Sequence, residues 1–544
     1  MKILFTYPGV ANIGFNSFFN RKDSVDSWYI PVGLCYLAAV AKREGHDVDL
    51  MDLRYLSGYE EVEEKIISSG CDVVALSYQT PGAEYAMEVA KIAKKHNKIT
   101  VAGGIHPTIM PDEVLSSGLI DHVIVGEGAI SFPELVNNLE KGAIIEPLIT
   151  GKYVDNLDEI PFPHYFDLYV DTIIKEHKLA MIFTSRGCPG RCEFCQPVAN
   201  KLFGKKVKFR SADNIINELL DWQKRYGITH FMVLDDTFLV KKNLVKDFCR
   251  KLMDFKVPLT WQCNARVNEF EEEMIRLMAE SRCNWICIGF ESGSQRILDL
   301  TKKGTTVEQG YKAAELCYKY NIGFTTNIIA GVPGETEEDY KKNLEFVKTI
   351  KATTISYNWL VPYPGTDTFY YCQKNNLLNK DIRWDGYEMN RIKERGIIST
   401  VDYGVVRDWE KKIVFWKGEI PKKNLIIEKA RKFEIKGEFA KALDQYFILI
   451  EEYPANFDGY YYCAKVYKKK GELDLAVQYF QKAMPIIQKS KNKDFLISTH
   501  FHMGEIYFNI GEKNLAKREF EICKELTPIH KEAEKYLIAL NSIA

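Results

Sequence analysis

Twice in succession this chain of 544 residues alternates short apolar runs with amphipathic stretches, and that rhythm admits few folds. From residue 1 to about 145 the apolar runs are Ile3 to Thr6, Val48 to Met51, Val73 to Ser77, Ile99 to Ala102 and Val123 to Val125, each the length of a buried strand. Between them, Gly33 to Arg43 and Glu84 to Lys95 space their apolar residues three and four apart, as one helix face requires. Such an alternation predicts a doubly wound parallel α/β sheet. From about 178 to 390 it resumes with Ala180 to Thr184, Phe231 to Leu234, Leu259 to Cys263, Trp285 to Gly289, Gly323 to Ile329 and Ser356 to Leu360, separated by helices such as Ser211 to Tyr226 and Thr336 to Lys348. Six βα units in a row predict a partial (β/α)6 barrel with its chemistry at the strands' carboxyl ends.

The rest of the chain repeats. Ala430, Phe433, Gly437, Ala442 and Tyr446 recur as Ala464, Tyr467, Gly471, Ala476 and Phe480, and again as Gly504, Tyr507, Gly511, Ala516 and Phe520. The first two turn glycines lie 34 residues apart and the third follows after 40, with an insertion near Lys489 to Lys493. The pattern resembles tetratricopeptide repeats, with Pro454 and Pro528 at helix-pair ends, and predicts an all-α domain over 426–544. Its small residues let helices approach and its aromatics fill the gaps. Residues 146–177 read as a linker and 391–425 as a connecting segment.

Composition narrows the function classes. Seventy-three Lys plus Arg against 74 Asp plus Glu give a net charge of -1, so no global field draws in a nucleic-acid backbone and no such partner is expected. The one basic stretch, Lys201 to Arg210, reads as a solvated loop. The start, MKILFTYPGV, lacks the pattern of a signal peptide, and no apolar run approaches the length of a membrane span, so a cytoplasmic protein is expected. Thirteen scattered Cys do not form a disulfide framework.

Three of those cysteines are bunched. Cys188, Cys192 and Cys195 follow the first barrel strand within Thr184-Ser-Arg-Gly-Cys-Pro-Gly-Arg-Cys-Glu-Phe-Cys. Three thiolates in eight residues suit one metal centre. A structural zinc site would need a fourth ligand, and no Cys or His stands at finger-like spacing. Of the other ten cysteines, those such as Cys249, Cys263, Cys283, Cys287, Cys317 and Cys372 sit in apolar patterns as core residues, Cys263 and Cys372 being the two that could approach the active site.

The spacing C-x-x-x-C-x-x-C with Phe194 before the last Cys resembles the cluster loop of radical S-adenosylmethionine enzymes. The resemblance implies a [4Fe-4S] cluster with one open iron, chelated by S-adenosylmethionine, which is reductively cleaved to a 5'-deoxyadenosyl radical. It places Asp235 and Asp236 after the second barrel strand, Asn264 and Arg266 after the third, Glu291 after the fourth and Gly331 after the fifth around that cofactor, beside Phe194. Arg266 and Glu291 are the preferred polar partners, since a zwitterion in a dry pocket requires paired groups. An electron donor such as flavodoxin or ferredoxin is implied.

The first domain's loops carry the second resemblance. Its fold alone would be flavodoxin-like with ordinary turn glycines. IPVGLCYLAAVAKREGHDVDLMD, DVVALSYQT, VAGGIHPT and DHVIVGEG resemble the cobalamin-binding domain that precedes the barrel in one class of these enzymes. The comparison places cobalamin near Pro31, Gly33, Ser77, Thr80, Gly103, Gly104, His106, Gly126 and Gly128. Gly9 to Gly14 does not make a dinucleotide fingerprint. No D-x-H-x-x-G follows the first strand, so no lower cobalt ligand is presented there, and His46 after Gly45 reads as a capping or solvent-facing residue. The long aromatic loop Tyr7 to Pro31 needs a reason such as covering a cofactor.

The resemblance implies methyl transfer to an unactivated carbon of a small-molecule or lipid-like substrate, one S-adenosylmethionine supplying the radical and another the methyl group through cobalamin. Oxidative ring closure of the magnesium-protoporphyrin ester cyclase type uses the same domain order and is the second reading. A cluster-containing interaction protein, dominated by a protein partner on its repeats, is the third.

Overall fold

The computed structural model describes the chain except residues 9–29, 164–173, 175–177, 196–197, 205, 255–258, 380–382, 388–391, 393–395, 415–425, 428, 431–432, 435–436, 455, 491–492, 528–529 and 543–544. Most of the Tyr7 to Pro31 loop and Pro528 therefore lie outside the described residues. Two compact units are formed, Met1–Val414 and Phe415–Ala544.

In the first unit β1 (Lys2–Tyr7), β2 (Asp47–Asp52), β3 (Val73–Ser77), β4 (Ile99–Gly103), β5 (His122–Val125) and β6 (Leu148–Thr150) make one sheet of order β2-β1-β3-β4-β5-β6. Every pairing is parallel. Parallel strands are covered on both faces, which is why Val73, Val74, Ala75 and Leu76 form an unbroken buried run. The chain winds one way from β1 to β2 and the other way through β3, so the switch point lies between β1 and β3. The strand β6 falls inside the segment read as a linker. Only Ile149 of its three residues is even half-buried, so an edge strand held by backbone pairing left no apolar signal.

The second sheet takes its strands in sequence: β7 (Leu179–Ile182), β10 (His230–Val233), β11 (Thr260–Arg266), β12 (Cys283–Glu291), β13 (Gly323–Ala330) and β14 (Thr354–Trp359), all parallel. A short antiparallel ribbon of β8 (Ser185–Arg186) and β9 (Lys208–Phe209) stands beside it. Burial alternates along the barrel strands: Ile286, Ile288 and Phe290 pack outward, Phe290 against Phe346 of the helix Glu337–Ile350, while Cys287 and Glu291 turn to the lumen. Cys287 is thus not a core residue. Its thiol accepts a hydrogen bond from Asn327 Nδ2 at 3.2 Å. Cys263 lies on the outward face with Trp261, which stacks on Phe231, and Cys372 is fully buried in the helix Asp367–Lys374.

The two sheets are joined through buried polar groups. Tyr36, on the helix Val32–Arg43, donates its hydroxyl to both Glu218 oxygens at 2.9 Å. Glu218 also pairs with Arg210 and accepts Trp222 Nε1 at 3.2 Å. Arg210 further donates to the Phe183 carbonyl at 2.8 Å. The basic stretch Lys201 to Arg210 is therefore not a solvated loop: it supplies the end of the helix Val198–Phe203, β9 and a buried guanidinium. His46 is likewise not solvent-facing. It is 4% exposed, and its Nδ1 lies 3.5 Å from the N-terminal ammonium.

The second unit is all-helical, with Phe439–Glu452, Phe457–Lys470, Leu473–Ser490, Lys493–Asn509, Lys513–Leu526 and Lys531–Ser542. The repeated Ala442, Ala476 and Ala516 and the repeated Tyr446, Phe480 and Phe520 are all fully buried in one core. No helix among the described residues is long and apolar enough to cross a membrane.

Replacing Glu218 with Ala leaves Arg210 buried without its counter-charge and should cost about 3–5 kcal/mol. Tyr36→Phe removes one neutral donor and should cost about 1 kcal/mol. Urea titrations of the full chain measure both, and equal costs would remove the buried charge from this account.

Candidate active site

The cysteine loop is launched by a carboxylate. Asp235, two residues beyond β10, is 1% exposed and accepts hydrogen bonds from Thr184 N at 2.7 Å, Thr184 Oγ1 at 2.5 Å and Ser185 Oγ at 2.6 Å. Asn264 Nδ2 donates to its carbonyl at 3.0 Å. These bonds fix the direction in which the chain leaves β7, three residues before Cys188. Asp235 is occupied in holding that exit, and Asp236 is the member of the pair left exposed at the barrel mouth.

Beyond the exit, Gly190 N donates to Cys188 Sγ at 3.4 Å and Cys195 N to the Cys192 carbonyl at 3.1 Å. Glu193 ties the loop to the barrel rim, donating its N–H to Thr301 O at 3.0 Å and accepting Thr368 N at 3.1 Å. Arg266 at the end of β11 donates to Cys192 Sγ at 3.3 Å and to the Lys303 carbonyl at 2.5 Å. A Cβ at Gly190 would come within 2.6 Å of that guanidinium, so glycine lets loop and arginine approach without displacing the arginine.

The donor set fits an iron-sulfur cluster. Burial, then the Asp236 charge and the neighbouring Cys192 and Cys188 thiols, push the Cys195 thiol up to about 12. Three thiols on one eight-residue loop are the soft sulfur donors that iron-sulfur clusters take. Among the described residues no three His, Cys, Asp or Glu side chains are gathered as ligands of a single ion.

Glu291 lies past a bulge in β12 with φ at 70, a conformation that costs a non-glycine residue energy and gathers at functional sites. Its Oε1 accepts from Lys303 Nζ at 2.7 Å, both side chains largely buried. Lys303 and Glu269 have no signature in the sequence. Glu269 accepts from Thr237 and from Arg266 N, the latter at 3.3 Å, and so holds the turn that aims Arg266. Gly331 N and Val332 N donate to Glu335 Oε2 at 2.7 and 3.2 Å, folding the end of β13 back on itself. Phe194 is half-buried beside Cys195.

The carboxyl ends of β3, β4 and β5 bring Ser77, Gly103, Gly126 and Gly128 to one edge, with Pro31 and Gly33 opening the helix Val32–Arg43 at the same end. The reasons for these residues differ. A Cβ on Gly104, whose φ is +91, would lie 2.9 Å from Ser77 Oγ, so this glycine lets the ends of β3 and β4 close together. A Cβ on Gly126 would lie 3.2 Å from the carbonyl of Lys201 in the barrel. His106 is 1% exposed, its Nδ1 3.2 Å from Thr80 Oγ1 and its ring between Tyr78 and Trp384. Burial lowers its pKa to about 4, so it is neutral and braces the loop. Trp384 comes from beyond the barrel, bonds to Glu113, and is flanked by Arg383, which donates to Glu84 Oε1 at 2.8 Å.

Three parts of the chain match known families. Residues 182–347 match the radical SAM superfamily, residues 22–136 the B12 binding domain and residues 458–486 a tetratricopeptide repeat. A Pyrococcus horikoshii protein described as an uncharacterized methyltransferase is 33% identical over 376 residues, 66% of this chain and 81% of that one. The anaerobic magnesium-protoporphyrin IX monomethyl ester cyclase of Rubrivivax gelatinosus is 25% identical over 431 residues, 73% of this chain and 76% of the cyclase. The solved structure of the cobalamin-dependent S-adenosylmethionine radical enzyme OxsB with aqua-cobalamin shares the fold, with a TM-score of 0.60 and 15% identity over 96% of this chain and 84% of that one.

Burial pushes the Asp235 carboxyl up from its ordinary 3.8 to about 6. A carboxyl raised by folding favours the native state most when protonated. Its contribution is full below about pH 4 and lost as pH rises to about 6, worth up to about 3 kcal/mol at about 1.4 kcal/mol per pH unit. Asp235→Asn should flatten that slope in urea midpoints taken across this range. An unchanged slope would remove Asp235 from the role.

Proposed function

The chain belongs to the cobalamin-binding radical SAM methyltransferase family, and on that premise we propose that it transfers a methyl group to an unactivated carbon of a small-molecule or lipid-like substrate. The observation that carries this reading is three thiols on one loop at the mouth of a six-stranded parallel barrel, in the same compact unit as the ligand edge of a doubly wound sheet. The family's cofactors are a [4Fe-4S] cluster and S-adenosylmethionine for the barrel and cobalamin for the first sheet. When bound, they supply one-electron cleavage of a sulfonium to start radical chemistry, and a carrier for the methyl group.

The chain's own residues bind, orient and exclude water. Cys188, Cys192 and Cys195 would hold three irons and leave the fourth to the cofactor's amino and carboxylate groups. Arg266 offsets thiolate charge at Cys192 and is aimed by Glu269. Asp236 stands open at the mouth to meet an ammonium, and the Glu291–Lys303 pair offers both signs of charge to a zwitterion in an enclosed site. Asn264 spans from β11 to the Asp235 carbonyl, Phe194 shields the cluster from water, and Gly331 leaves room where β13 ends. Ser77, Gly103 and Gly128 line the edge where the corrin would lie, with Thr80, Gly104 and His106 holding it from beneath.

Oxidative ring closure remains the second reading because the Rubrivivax relative is named for it and aligns over most of this chain. The helical repeats would dock a protein partner, and an electron donor such as flavodoxin or ferredoxin would reduce the cluster.

The reduced, reconstituted protein should release 5'-deoxyadenosine from S-adenosylmethionine, and Cys192→Ala should lower that yield at least about 100-fold. Methyl-labelled S-adenosylmethionine should pass its label to the product. Release of deoxyadenosine with an unlabelled, ring-closed product would replace methylation by cyclisation.

A further inference from the structure

The cysteine loop is held on both of its flanks by the sheet that carries the corrin edge. On the approach, Arg186 of β8, two residues before Cys188, forms an ion pair with Glu127, the central residue of Gly126-Glu127-Gly128 after β5. Both are shielded, the Arg186 side chain 19% and the Glu127 side chain 4% exposed. The other Glu127 oxygen is held by Val154 N at 3.1 Å. On the departure, the helix Val198–Phe203 starts three residues after Cys195 and lays the Lys201 carbonyl against Gly126, with Tyr153 donating to the same carbonyl at 3.2 Å. Thus one three-residue turn at the ligand edge of the first sheet touches the cluster loop before its first cysteine and after its last.

A rigid link of this kind makes two sites one. Because the turn Gly126–Gly128 touches both Arg186 and the Lys201 carbonyl, a ligand that shifts the turn shifts a contact on each flank of the thiols. We infer that Glu127 is a positioning residue that couples the two cofactor sites, so that a cluster on Cys188, Cys192 and Cys195 preorganises the turn for cobalamin and cobalamin preorganises the loop for the cluster. This rests on the functional reading above. Because binding free energies are linked, each ligand must change the other's affinity by the same factor, and couplings between sites typically fall at about 5- to 150-fold.

The test uses the full chain, prepared anaerobically with and without reconstituted cluster, and titrated with hydroxocobalamin by its absorption spectrum. Cluster loading should tighten cobalamin binding in wild type by at least about 5-fold. Glu127→Gln keeps the size and removes the charge. Its iron and sulfide content should match wild type while the ratio of the two dissociation constants falls to within about twofold of one. The exchanged pair Glu127→Arg with Arg186→Glu should restore the ratio, which a merely structural role would not do. A wild type that binds cobalamin with the same affinity in both forms, or a Glu127→Gln protein that keeps the wild-type ratio, overturns the coupling and leaves the functional reading standing. A wild type that binds no cobalamin in either form overturns both. If Glu127→Gln retains neither cofactor, the exchanged pair decides: a restored ratio supports the coupling, and a ratio of one overturns it.

Discussion

The carboxyl of Asp235 sets what the barrel can do. By accepting the N–H and hydroxyl of Thr184 and the hydroxyl of Ser185, it fixes how the chain leaves β7 and where the thiols that follow must lie. A buried carboxyl with three donors converging on it is a costly group to shelter, and such groups persist where a unique direction is needed more than stability. Beyond it, Lys303 and Glu291 form a buried ion pair, and Arg266 and Glu269 are each held by another protein group before any ligand arrives. Preorganised polar groups in a sheltered site need not reorient when charge develops, which is the condition under which they stabilise a reaction most.

Much of this was legible in the sequence, and the pattern of what was not is physical. Strands that bury both faces announce themselves as apolar runs, so β3 and β4 stand where the runs of Val, Ile and Ala predict them. The edge strand β6 buries almost nothing and gave no such sign. The thiols were legible because a cluster takes its ligands from one short loop. Lys303 and Glu269 were not, because they meet Glu291 and Arg266 only after strands far apart in sequence have been laid side by side.

Residue type alone does not show what holds a glycine or a histidine in these loops. Gly104 and Gly126 stand where the resemblance expects a ligand, yet the atoms that exclude a side chain there belong to the protein: Ser77 in one case and Lys201 in the other. His106 is in the expected loop and buried beneath it. Asp235 and Asp236 are adjacent in sequence and opposite in situation, one sealed by three hydrogen bonds and one open at the mouth.

The packing of Trp384 against His106 bears on how the chain assembles itself. Arg383 and Trp384 reach back from beyond the last barrel strand to Glu84, Glu113 and the loop after β4, nearly three hundred residues upstream. During synthesis, at about 5–20 residues per second, the first sheet leaves the ribosome tens of seconds ahead of the tryptophan that covers one of its loops. Until then His106 and Tyr78 lack one wall of their enclosure. A chain that stops short of Arg383 and Trp384 therefore lacks the wall that Trp384 gives His106 and the ion pair that Arg383 makes with Glu84.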